Sequence, residues 1–228
     1  IDNKSDAMHG FFTLTFTGVI MKTLALPLVI CIMAFMAGTA TGQITNSAHD
    51  FAKAGAFNAG GEICEACHTP HNSNTSYSPL WDHAVTSATF TLYDNTVSST
   101  FDGTTGQPTG TSKLCLSCHD GTVGIDNFGG SGGTTMITGA DLIGTDLTND
   151  HPISFDYTTA LANTDGELYD PSTALSGMTA AGTIATDMLF SNSMECASCH
   201  DVHNSAGFTN LLVLDNAGSA LCLTCHDK

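Results

Sequence analysis

Eight cysteines of this chain fall into four Cys-x-x-Cys pairs, and a histidine directly follows each pair. They are Cys64-Glu-Ala-Cys67-His68, Cys115-Leu-Ser-Cys118-His119, Cys196-Ala-Ser-Cys199-His200 and Cys222-Leu-Thr-Cys225-His226. A Cys-x-x-Cys-His run is the signature of covalent haem attachment. Two thiols add to the vinyl groups of a porphyrin as thioethers, and the two intervening residues let a single turn span them. The next residue lies under the ring, where its imidazole binds the iron. Zinc knuckles also use Cys-x-x-Cys pairs, and disulfides suit an exported chain, but neither asks for a histidine beside every pair. The spacing therefore predicts four haem c groups, with His68, His119, His200 and His226 as proximal iron ligands.

Each iron has a second axial position, and the candidates are His49, His71, His83, His151 and His203. That is one more than four irons need. Met136, Met178, Met188 and Met194 are alternative ligands that would raise the potential. With histidines in surplus, all-bis-histidine irons are expected and the methionines are assigned to filling apolar gaps. His71 follows His68 by three residues, and His203 follows His200 by three. A proximal histidine and its neighbour three residues on leave the backbone on the same side, so they cannot reach opposite faces of one haem. If His71 and His203 bind iron, each serves a haem other than the one beside it, and haems are brought close together. Pro152 holds His151 extended, a suitable pose for a loop ligand. His49 and His83 both adjoin acids, and one of them is the spare. The distal set is read as His49, His71, His151 and His203, with His83 as the spare or substitute.

The elements that position these residues are few. Cys-His-Thr-Pro-His-Asn-Ser at 67–73 is echoed by Cys-His-Asp-Val-His-Asn-Ser at 199–205, and Leu-Cys-Leu-Ser-Cys-His-Asp at 114–120 by Leu-Cys-Leu-Thr-Cys-His-Asp at 221–227. The order A, B, A, B suggests two dihaem modules, about 45–120 and 190–228, separated by an insert at 121–189. Gly, Thr, Ser and Asp dominate the insert, and long apolar periodic stretches are missing. Short helical turns at the motifs, short strands near Phe90 to Tyr93 and irregular chain elsewhere are expected. Such a composition buries little apolar surface against its ordering entropy, so the porphyrins are expected to form the core.

Upstream, Met21 to Gly42 reads as a signal peptide. Lys22 is its positive end, Leu24 to Ala37 its apolar run (with Cys31 inside it), and Ala40-Thr41-Gly42 its small-residue cleavage site. Residues 1–20 read as a leader or over-extended reading frame, and 43–228 as the mature tetrahaem domain. No stable membrane span is expected after cleavage. The chain contains 22 acids against five basic residues, all of them lysine, for a net charge of -17. Binding to nucleic acid is excluded on that ground, since phosphate contacts need basic groups.

Several segments together carry a family resemblance: His49-Asp-Phe, Gly61-Glu-Ile-Cys-Glu-Ala-Cys-His-Thr-Pro-His-Asn, Pro79-Leu-Trp-Asp-His, Lys113-Leu-Cys-Leu-Ser-Cys-His-Asp-Gly-Thr-Val, Asn149-Asp-His-Pro-Ile-Ser-Phe, Glu195-Cys-Ala-Ser-Cys-His-Asp-Val-His-Asn and Gly218-Ser-Ala-Leu-Cys-Leu-Thr-Cys-His. In these the chain resembles the OmcE-type tetrahaem outer-surface cytochromes, whose subunits polymerise into extracellular filaments. The resemblance spans nearly all of 43–228 and keeps the order of the motifs. It implies a multihaem cytochrome c fold, mostly irregular chain with few short helices wrapped around a stacked haem array. It further implies bis-histidine irons, head-to-tail homopolymerisation, and His71 as ligand to a haem of the neighbouring subunit.

Three functions compete at this stage. The first is an extracellular conductive filament exchanging electrons with other electron-transfer proteins or extracellular acceptors. The second is a monomeric periplasmic carrier. The third, a multihaem reductase, needs an iron with an open axial site, which five candidates for four positions argue against. Arginine and lysine for binding an oxyanion are also nearly absent. No enzyme activity is expected.

Overall fold

The computed structural model describes residues 44–53 and 60–228. The signal peptide, Cys31 and the leader lie outside the described residues. Regular structure is sparse. In chain order it comprises α1 (Gly110–His119), β1 (Phe155–Asp156), α2 (Thr159–Asp165), α3 (Ile184–Asp187), β2 (Ser193–Met194) and α4 (Ala220–Cys225), with single 3-10 turns at Gly139–Asp141, Cys196–Ser198, Thr209–Leu211 and Ala217–Ser219. The strands β1 and β2 pair antiparallel, Phe155 opposite Met194 and Asp156 opposite Ser193. Among the described residues no helix is long and apolar enough to cross a membrane.

Local chemistry explains where these helices stop. Helix α1 reaches its last carbonyls through Asp120 N–H, which donates to Leu116 O at 2.9 Å. Gly121 then turns away with φ of 72°, a left-handed conformation that glycine adopts without strain. Helix α2 starts at Thr158, whose hydroxyl accepts from Leu161 N–H, and ends at Gly166 with φ of 75°. Helix α3 is a single turn closed by reciprocal bonds between Thr183 and Thr186.

Abundant Asp and Thr tie the irregular segments together. Asp94, Asp120, Asp146 and Asp170 each accept both the N–H and the hydroxyl of the Thr or Ser two residues on, at 2.5–3.1 Å. These are Asx turns, in which a carboxylate substitutes for backbone pairing. The hydroxyl of Thr96 holds the Asp94 carboxyl below its ordinary range, that of Thr148 does the same for Asp146, and that of Thr159 for Asp170.

Apolar packing is concentrated in the insert. Phe155, Tyr157, Ala162, Ile184, Met188, Leu189 and Met194 form one cluster with Leu221 and Cys225 of the last motif. A smaller one joins Phe90, Leu116 and Leu147. The insert is thus no plain loop: residues 155–189 supply much of the larger cluster. Its apolar residues come from separate short turns, and no periodicity announces them. Met188 and Met194 are buried there, while Met136 and Met178 are exposed. Near Phe90 to Tyr93 the chain is extended but forms a single bridge, Thr91 with Asp146, instead of a strand.

Two outcomes test this account. Ile184 is fully buried, and Ile184→Ala should destabilise the haem-loaded protein by about 2–5 kcal/mol in denaturant unfolding; a midpoint unchanged from the parent would contradict the assigned core. The carboxyls of Asp94, Asp146 and Asp170 have folded pKa values below their unfolded values. Their stabilisation is therefore fully present above about pH 4 and is lost as pH falls through the depressed folded values, which an acid titration of the unfolding midpoint should show.

Candidate haem-binding sites

The same turn recurs at the motifs. The N–H of the motif histidine donates to the carbonyl of the first cysteine at 2.9 Å for His68, 3.0 Å for His200 and 3.0 Å for His226. The second motif instead occupies the C-terminal half of α1, and the fourth occupies α4 with His226 as its cap. These bonds place both thiols and the imidazole of each motif on one short turn.

The two A-type motifs also share the loop that follows them. After motif one, Thr69 N–H donates to Leu80 O at 3.0 Å and Asp82 N–H to Cys67 O at 2.8 Å. After motif three, Asp201 N–H donates to Leu211 O at 2.6 Å and Val213 N–H to Cys199 O at 2.9 Å. Asn72 and Asn204, which follow His71 and His203, both adopt positive φ, at 60° and 52°. The sequence echo is an echo in the backbone.

Hydrogen bonds orient the imidazoles. Nδ1 lies 2.8 Å from Pro79 O in His68, 2.7 Å from Asp141 O in His119, 3.0 Å from Asn210 O in His200 and 2.9 Å from Pro152 O in His151. A carbonyl at Nδ1 fixes the proton there and leaves the Nε2 lone pair free for a metal.

Three pairs of histidine rings lie close together, one near-parallel and two inclined. His49 and His119 have centroids 6.0 Å apart, His68 and His203 6.3 Å, and His151 and His226 6.4 Å. Two imidazoles on opposite sides of one iron, with metal–nitrogen bonds of about 2 Å each, have centroids separated by about 6 Å. The spacing of the pairs and the chemistry of the donors both fit haem iron. Each pair joins one motif histidine to one histidine from elsewhere. Burial, then the charge of His119, pushes His49 down to about 4, so it is neutral and able to ligate across the physiological range.

The remaining histidines are placed differently. His200 and His71 are exposed, and no imidazole ring faces either among the described residues. His83 is 2% exposed; its Nδ1 lies 2.7 Å from Ala84 O and its Nε2 3.0 Å from Gly124 O. Carbonyls therefore occupy both of its nitrogens, and neither faces another histidine.

The motif cysteines are mostly half-buried. Burial raises Cys67 to about 11 and both Cys118 and Cys225 to about 12. Interaction with the neighbouring Cys196 raises the Cys115 thiol, and the same interaction lowers Cys196.

Sequence reasoning missed the buried Glu195, whose carboxylate accepts from Ser112 N–H at 3.0 Å and from Ser193 Oγ–H at 3.0 Å. The available signal was an acid directly before a haem cysteine in a chain almost without bases.

Residues 190–228 match the family described as doubled CXXCH motif, which takes in the third and fourth motifs. These are haem c attachment sites of the multihaem c-type cytochrome kind, and the function that goes with them is electron transfer. No curated protein matches the chain.

The pairing predicts distinct spectra. His203→Ala should convert one haem to a high-spin form visible by electron paramagnetic resonance, whereas His83→Ala should leave every haem low-spin. The opposite pattern would reassign the distal ligand of motif one.

Proposed function

We propose that this protein is an exported tetrahaem cytochrome that polymerises head to tail into an extracellular filament for long-range electron transfer. The observation that carries the reading is an imbalance of histidines. Three motif histidines face a second imidazole within the chain, at 6.0–6.4 Å. His200 faces none, and His71 is exposed on a loop shaped like the one that presents His203. In a polymer, His71 of one subunit completes the iron held by His200 of the next, so every iron is bis-histidine. A contact between unlike surfaces of identical subunits does not make a two-fold dimer; it propagates head to tail, and becomes a fibre where the rotation between subunits does not close a ring.

Bound haem c supplies a one-electron iron couple. The residues do the remaining work. The eight motif cysteines would hold the porphyrin edges as thioethers, backbone carbonyls at Nδ1 aim His68, His119, His151 and His200, and paired imidazoles would keep small molecules off the iron.

His200 also supports a second reading, in which the chain acts alone and its third motif keeps an open axial position, as a reductase would require. Two measurements separate these. In native material, carbon monoxide should not bind the reduced protein and negative-stain images should show filaments. In His71→Ala the filaments should be lost and one haem in four should bind carbon monoxide. Filaments that persist in His71→Ala with all haems six-coordinate would remove the inter-subunit bond.

A further inference from the structure

Motifs two and three meet at a junction that their own sequences do not specify. Glu195 is 3% exposed, Ser112 and Ser198 are fully buried, and no ion pair engages Glu195 among the described residues. Glu195 Oε2 accepts from Ser112 N–H at 3.0 Å. That N–H lies in the first turn of α1, where helical N–H groups have no partner of their own and carry partial positive charge. In the reverse direction, Ser112 Oγ accepts from Cys196 N–H at 2.9 Å. The other carboxylate oxygen accepts from Ser193 Oγ–H at 3.0 Å, and Glu195 N–H donates to Ser198 Oγ at 2.9 Å, which fastens the carboxylate to its own turn. Two opposed hydrogen bonds thus staple the first turn of α1, which leads to Cys115 and Cys118, to the turn that carries Cys196 and Cys199.

The consequence lies at the sulfurs. Cys196 N–H is hydrogen-bonded to Ser112, one helical turn before Cys115, and the Cys115 and Cys196 side chains are near enough to interact. With haem attached to both, no S–H remains to tie them. Each sulfur is then joined to the edge of its own porphyrin, so neighbouring sulfurs mean neighbouring porphyrin edges. The staple is what remains to hold the two attachment turns at this spacing.

We propose that Glu195 is a positioning residue for electron exchange: through Ser112 it fixes the contact between the haem on Cys115/Cys118 and the haem on Cys196/Cys199. This rests on the electron-transfer reading of the motifs and is independent of filament formation. Glu195 touches no iron ligand, and its effect passes through the two turns. A glutamine can reproduce the geometry, with its carbonyl oxygen toward Ser112 N–H and its amide toward Ser193 Oγ, which can also accept.

The test uses haem-loaded protein secreted by its natural route. Haems held in fixed contact give an exciton couplet in Soret circular dichroism. Glu195→Ala should weaken that couplet and slow electron equilibration among the haems after flash photoreduction, with haem content and low-spin absorption unchanged. Glu195→Gln should restore both signals. An unchanged couplet and rate in Glu195→Ala would overturn the proposal, as would failure of Glu195→Gln to restore them. If Glu195→Ala is not recovered with its haem content intact, Ser112→Ala decides, because it removes only the bond to Cys196; an unchanged couplet there overturns the proposal. Absence of covalent haem from the parent protein would instead remove the electron-transfer reading itself.

Discussion

The arrangement depends on one constraint: an imidazole whose Nδ1 is held by a backbone carbonyl can offer only Nε2, in one direction. In His68, His119 and His200 that carbonyl lies ten or more residues further along the chain. Each such bond closes a loop and aims a ligand in one step. Loops that would otherwise be loose are thereby defined by the groups they orient, and little helix or sheet is needed. The Asx turns serve the same economy, since each acid settles its own backbone within two residues. An acid-rich, arginine-free composition is compatible with order because its carboxylates are spent on local N–H and hydroxyl groups.

The motifs were fully legible in the sequence, because thioether chemistry demands fixed residue types at fixed spacing. The A–B echo was legible too, and for the A-type motifs it extends into the backbone further than their five matching residues imply. The bonds from Asp82 to Cys67 and from Val213 to Cys199 lie in stretches with no sequence similarity. The core was not legible. Phe155, Ile184 and Leu221 are far apart in sequence, and the one helically spaced pair among these core residues, Ile184 and Met188, sits on a single turn, too short to show the period by which buried faces are read. Short turns present their apolar residues one or two at a time, so the pattern exists only in three dimensions.

Glu195 was hidden for a different reason. A carboxylate beside a motif reads as surface charge unless its partner is known, and its partner, Ser112, lies in another motif. Pairwise ties of this sort leave no local mark. Ring pairing has the same character. Spacing excludes His203 as a ligand to its own haem, but only the fold brings its ring to His68.

The pairs also differ in how far apart their members lie along the chain, and a chain is made from its N-terminus. His49 already exists when His119 is added, so motif two can be completed while the rest is still being synthesised. Motif one precedes it in sequence, yet His68 must wait for His203, beyond the third motif. His151 waits for His226, in the fourth motif. On this pairing, maturation does not follow the order of the motifs: motif one, the first of the four in sequence, finds its partner only after motif three has been made.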